Sequence, residues 1–261
     1  MGDGIMLHRV MSAAPRFTFV PTNPNAAPGF TYINDGHGNW RIKFLTSGTL
    51  TFQSTLSHGI DVFLVGGGAL GGSAARAPST SAYGGGSGYT TTDKTGNIKP
   101  VRGTAYSITV GAAGISGHAN GYDSTAFGKT AGGGKAGSAG YHSDPYTEEY
   151  NYAWADGGNG GSGGGADAIS PTGGSDGYNG SAPGSHMTAG KGQRNKAGPN
   201  GETGTTREFG ESSGELYAQG GGKTTPYKAN SGNGGCVYWT YPTTVTIAAS
   251  SGIVVIRNHR E

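Results

Sequence analysis

Residues 60–71 read IDVFLVGGGALG, and this junction decides the fold. Ile60 to Val65 is a short continuous apolar run, the pattern of a strand buried on both faces. At Gly66 the chain turns to glycine, and glycine dominates until a second apolar run, IVVI, begins at Ile253. These two runs are the most apolar in the chain and bracket the glycine-rich part, so they are expected in one sheet that closes the domain. Between them, glycine recurs at 66–72, 84–88, 132–134, 157–165, 220–222 and 232–235. The spacing is irregular, which excludes a solenoid of fixed period.

The chain has 54 glycines and 12 prolines in 261 residues, about a quarter of the whole, a level usually associated with low complexity. Leu, Ile, Val and Phe total 36 (7, 11, 10 and 8), too few for an ordinary core along the full length. Collagen is excluded because glycine falls short of one third and has no triplet period. Disorder fits poorly, because the chain carries 14 Tyr, 8 Phe and 3 Trp and a formal charge of only +2.

Each glycine run taken alone can be a flexible linker. The other reading is a bundle of extended, three-residue-per-turn helices of the polyglycine II type, which pack closely because glycine has no Cβ and keeps its N–H. Ordering a residue costs about 1–2 kcal/mol, and a hydrogen bond returns about 1 kcal/mol. Such a bundle therefore needs a scaffold that buries apolar surface, and the flanking strands can supply it. The expected fold is mainly β: an antiparallel β-sandwich-like scaffold enclosing extended glycine helices, with little or no α-helix.

Working outward, Trp40, Ile42 and Phe44 alternate with Arg41 and Lys43, and Leu50 and Phe52 resume the alternation after Thr46-Ser47-Gly48. That is the period of a half-buried strand pair. Pro15, Pro21, Pro24 and Pro28 make residues 1–30 read as an extended arm or linker. The expected organisation is an arm at 1–30, a strand lead-in at 31–65 and a glycine-rich domain at 66–261.

Several chemical signatures appear without their context. Gly66, Gly68 and Gly71 match G-x-G-x-x-G after a strand, but Pro78 and further glycines oppose the helix that a dinucleotide site needs. Gly128-Lys129-Thr130 and Gly222-Lys223-Thr224 lack the upstream glycine of a phosphate loop, since Asp123 and Tyr217 stand there. Gly160 to Gly164 matches a nucleophile elbow, yet lies inside a glycine run. The seven histidines are not spaced as metal ligands, and the single Cys236 excludes a disulfide framework or a cysteine-rich zinc site. Neither a metal nor a cofactor is expected. Eighteen basic against sixteen acidic residues give no basic stripe for nucleic acid. No apolar run spans a membrane or suits a secretion signal, so synthesis in a cytoplasm is expected.

One segment interrupts the glycine: YHSDPYTEEYNYAWAD, residues 141–156. Tyr141, Tyr146, Tyr150, Tyr152 and Trp154, with Asp144 and Glu148 between them, make large contacts at low entropic cost, which suits a recognition loop. The same rings could equally pack onto the bundle. Tyr238 and Trp239 form a second candidate, whose alternation also fits a structural strand. Asp144, Glu148 and Glu149 are the best carboxylate group for glycoside hydrolysis.

The order FLVGGG, YGGGSGYTTT, VRGTAYSITVGAAG, TREFGESSGELYAQGGG and SGIVVIR resembles the glycine-rich domain of bacteriophage tail-fibre and receptor-binding proteins. It is also similar to the glycine-rich region of anaplastic lymphoma kinase and to the tip adhesins of T-even-type phages. The resemblance spans roughly residues 38–257, although the runs here are shorter and less even than in those adhesins. It implies a virion structural protein, a tail-fibre or tail-tip adhesin, that binds a host-surface saccharide or protein through variable loops, with no catalysis and no cofactor. By analogy a homo-oligomer, a homotrimer, is expected, joined to other virion proteins through the N-terminal arm. A capsid or tail decoration protein is the alternative, and a surface-glycan depolymerase the less favoured one.

Overall fold

The computed structural model describes residues 15–26, 28–71, 82–115, 119–136, 138–143, 151–156, 160, 207–222, 227–240 and 243–260. In chain order its strands are β1 (Phe17–Pro21), β2 (Phe30–Gly36), β3 (Asn39–Phe44), β4 (Gly48–Phe52), β5 (Ile60–Val65), β6 (Ala82–Gly84), β7 (Thr90–Ile98) and β8 (Ala105–Thr109). They continue with β9 (Ser124–Ala126), β10 (Lys129–Ala131), β11 (Ser138–Ser143), β12 (Asn151–Asp156), β13 (Cys236–Thr240), β14 (Thr243–Ile247) and β15 (Ile253–Asn258). Two short 3-10 turns, Pro24–Ala26 and Glu208–Gly210, are the helical elements among the described residues. No helix there is long and apolar enough to cross a membrane.

Two five-stranded antiparallel sheets, β1-β4-β8-β9-β10 and β2-β3-β15-β5-β7, face each other as a sandwich. The alternation read from the sequence sorts their side chains. Trp40, Ile42 and Phe44 of β3 point inward, as do Leu50 and Phe52 of β4 and Ile108 of β8, and all are buried. The two apolar runs pair directly, with Ile253 opposite Val65 and Ile256 opposite Val62. Val62 and Leu64 join the sandwich core, whereas Phe63 and Val65 turn to the other face of the sheet. There Phe209, Tyr217 and Ala218 cover them, with Phe63 edge-on to Tyr217 at 5.4 Å between centroids. β5 is thus buried on both faces because the segment 207–218 roofs the side that the sandwich leaves open. Full burial of a large apolar side chain contributes about 1.5–3 kcal/mol.

The later half of residues 1–30 is built into this scaffold rather than standing off as an arm. β1 pairs with β4 from Phe17↔Phe52 to Pro21↔Gly48. Phe17 and Phe19 meet Phe30 at 5.3 and 5.9 Å. Proline is admitted because β1 is an edge strand and Pro21 is its last residue.

Continuing from the ends of the sandwich strands lies the glycine bundle, whose hydrogen bonds turn by one neighbour per residue. Gly66 and Ala69 donate to Tyr89 O (3.0 Å) and Gly86 O (2.9 Å); Gly67 and Leu70 donate to Tyr122 O (2.9 Å) and Ala119 O (3.2 Å); Gly68 donates to Ser250 O (2.8 Å). The carbonyls of Gly67, Gly68 and Ala69 accept from Gly134, Gly114 and Gly235. Segment 66–71 is therefore ringed by six others: three accept from it and three donate to it. The neighbouring segment repeats the period of three, with Gly85 and Gly88 donating to Gly235 and Gly232, and Gly86 and Tyr89 to Lys135 and Gly132.

Such packing admits no side chain at the close approaches. A Cβ on Gly67 would lie 2.0 Å from Ala112 O, and one on Gly68 would lie 1.9 Å from Asn233 O. Neither residue has a positive φ. Glycine is required there for the approach of backbones and not for its conformational freedom.

Candidate functional site

The bundle has two distinct ends. At one, its segments run straight into the sandwich: Val65 into Gly66, Tyr89 into β7, Asp123 into β9, Ala131 into Gly132 and Gly252 into β15. At the other, Gly85, Ala136 and Gly235 adjoin β6, β11 and β13. There β14, β13 and β6 form a three-stranded sheet, β11 and β12 form a hairpin, and β12 packs beside β6.

This distal end gathers the aromatic segments singled out in the sequence. The 141–156 stretch, read as a loop, contains most of a hairpin: Tyr141 stands opposite Ala153, Tyr152 opposite His142 and Trp154 opposite Gly140. Tyr238 pairs with Val245 on one side and Ala82 on the other, and Trp239 pairs with Thr244. Strands carrying Trp154 and Trp239, some 85 residues apart in sequence, are bridged by the three residues of β6. Asp144, Tyr146, Glu148, Glu149 and Tyr150 lie outside the described residues.

The N–H groups of residues 66–70, which the dinucleotide reading would assign to a phosphate, all donate to carbonyls of the bundle. Among the described residues no group of His, Cys, Asp and Glu could hold a metal ion.

A second concentration of chemistry was not legible in the sequence. On the outer face of the second sheet, Arg41 and Lys43 project toward the roofing segment 207–218. Glu208, almost fully buried, accepts from Arg41 (2.6 Å), from Tyr217 Oη (2.6 Å) and from Lys43. Burial alone would raise the Glu208 carboxyl, but the bonds from Lys43, Tyr217 and Arg41 outweigh it and hold it below the usual range. Burial together with Glu208 and Glu215 drives the Tyr217 hydroxyl far up, so it stays a donor. Glu211 bridges Arg41 (3.0 Å) and Arg257 (2.9 Å), and Arg257 also holds the fully buried Asp61 at 2.9 Å. The Arg257 guanidinium lies 4.0 Å over the Phe209 ring. Charges of both signs alternate through this cluster and engage one another. Its chemistry is that of a clasp that fixes the roof. The available signal was the word REFGESSGELY, whose spaced glutamates answer the outward Arg41 and Lys43.

The family model of the glycine-rich domain matches residues 45–259, more than half of the chain. No curated protein and no solved structure matches it.

Proposed function

The chain belongs to the glycine-rich domain family, and we propose that it serves as an attachment module of a bacteriophage particle, a tail-fibre or tail-tip adhesin that binds a host-surface saccharide or protein. The observation that carries this reading is the convergence of the glycine-poor aromatic strands on the bundle end away from the sandwich. The hydrogen-bonded bundle stands between the sandwich and the aromatic strands, an arrangement that suits an adhesin. The three-residue period of the hydrogen bonds supports reading the glycine segments as polyglycine II helices.

The test is direct. Antibodies against the chain should decorate the tip or fibres of the particle in electron micrographs, and purified protein should label susceptible cells. Replacing Tyr152, Trp154 and Trp239 by alanine should abolish the labelling. Particles that lack the protein yet adsorb normally would overturn the proposal.

A further inference from the structure

The end of the sandwich opposite the glycine bundle carries cations that the adhesin reading does not use. β1, β5 and β8 begin at this end, at Phe17, Ile60 and Ala105, while β7 and β15 finish there at Ile98 and Asn258. Among the described residues, the Lys and Arg side chains without an ion-pair partner are Arg16, Lys94, Lys99, Arg102, Lys135 and Arg207. Arg16, Lys99 and Arg102 belong to this end, and so does Lys94, where residues 94–97 bulge out of β7 between the pairs of Ile60 and Val62. All four are exposed. The carboxylates described at this end are engaged: Asp35 by Arg41 and Arg260, Asp61 by Arg257 and His259, and Asp93 by Lys129. The described part of this end therefore presents a surplus of positive charge.

The loop that carries most of it, residues 99–104, is fixed by hydrogen bonds. Val101 N–H donates to Tyr106 Oη at 2.7 Å, Gly103 N–H to Phe52 O at 2.8 Å and Thr104 N–H to Val101 O at 3.2 Å. Pro100 is buried, and Gly103 takes the left-handed turn at φ 78. Gln53 N–H donates to Arg16 O at 2.7 Å, so Arg16 and the loop flank the end of β4 from opposite sides. Between Lys99 and Arg102 stands Val101, 62% exposed, the one large apolar side chain exposed at this end among the described residues.

An exposed apolar side chain with charge around it, on a backbone already held in place, has the anatomy of a protein interface. A single-stranded nucleic acid would call for rings on which bases stack, and no aromatic side chain is exposed at this end among the described residues.

We propose that this end of the sandwich docks an acidic surface of another protein, which seats an apolar side chain on Val101 while its carboxylates meet Arg16, Lys99 and Arg102. The distal aromatic strands lie at the other end of the molecule and stay free when the chain is held here. Either surface can fail without the other.

The experiment uses the whole chain, isotope-labelled, at low salt, titrated with a blocked peptide of four glutamates around one leucine. The amides of Arg16, Lys99, Val101, Arg102 and Gly103 should shift with a Kd of about 1 mM. Joint Lys99→Glu and Arg102→Glu changes touch exposed, unpaired side chains, so the unfolding midpoint should hold while affinity falls about tenfold. Val101→Ser should weaken binding about fivefold, as should serine in place of the leucine in the peptide. Absence of shifts at about 10 mM peptide would overturn the proposal, as would affinity indifferent to Val101→Ser. Tighter binding of an oligothymidylate of equal charge, or of phosphatidylglycerol vesicles, would overturn it in favour of a nucleic acid or a lipid surface.

Discussion

Gly67→Ala tests whether the glycine segments are held by the approach of backbones. The new Cβ would stand 2.0 Å from Ala112 O, against a relaxed carbon–oxygen contact of about 3.3 Å, so the two segments must separate by about 1.3 Å. Gly67 N–H donates to Tyr122 O and Gly67 O accepts from Gly134 N–H, both at 2.9 Å. A shift of that size takes such bonds beyond hydrogen-bonding range. Two buried polar pairs then go unsatisfied, at about 1–3 kcal/mol each. Stiffening of the unfolded chain by alanine returns about 0.4–1 kcal/mol. The net expectation is a loss of about 2–5 kcal/mol, read from urea unfolding midpoints. Gly103→Ala is the control: its φ is +78 and nothing lies within 4 Å of the added Cβ, so only the left-handed backbone is penalised, at about 1–2 kcal/mol. If Gly67→Ala cost no more than Gly103→Ala, close packing would not be the reason for glycine, and the account of the bundle would fail.

Glu208→Gln removes the charge shared by Arg41, Lys43 and Tyr217 and should destabilise by about 3 kcal/mol, because it leaves partly buried cations undercompensated. An unchanged unfolding midpoint would refute the clasp. The carboxyls of Asp35, Glu208 and Glu215 are held below their usual range by their cationic and hydroxyl donors, against the opposing effect of burial. Their contribution is complete above about pH 5 and is lost as pH falls through the folded-state values, since the unfolded chain binds protons first. Unfolding midpoints should fall between about pH 5 and 3, less steeply in Glu208→Gln; parallel curves for the two proteins would contradict this. In hydrogen exchange, the amides of Gly66, Gly67, Gly68, Gly85 and Gly88 should be strongly protected, and exchange at unstructured-chain rates would return these runs to the linker reading.

Much of the candidate site was visible in composition, because aromatic clusters are conspicuous where glycine is otherwise continuous. Tyr152, Trp154, Tyr238 and Trp239 could be picked out, but not their convergence. That depends on β6, three residues too short and too plain to be read as a strand. The Glu208 clasp was equally hidden, because its partners Arg41 and Lys43 lie more than 160 residues away.

The sequence by itself determined the scaffold strands at Trp40 to Phe44, Leu50 to Phe52, Ile60 to Val65 and Ile253 to Ile256, and the inward face of those that alternate. Side-chain alternation is a local property, and IDVFLV and IVVI are too apolar to stand anywhere but in a core. It also determined that the glycine runs could pack closely, since a missing Cβ is written in the residue type. Only the tertiary structure decided which segments surround 66–71 and which end of the bundle carries the aromatic strands. Glycine backbones are chemically alike, so their hydrogen bonds do not encode a partner. The partner is chosen by the strands that deliver each run into the bundle, and their order in the sheets is a property of the whole chain.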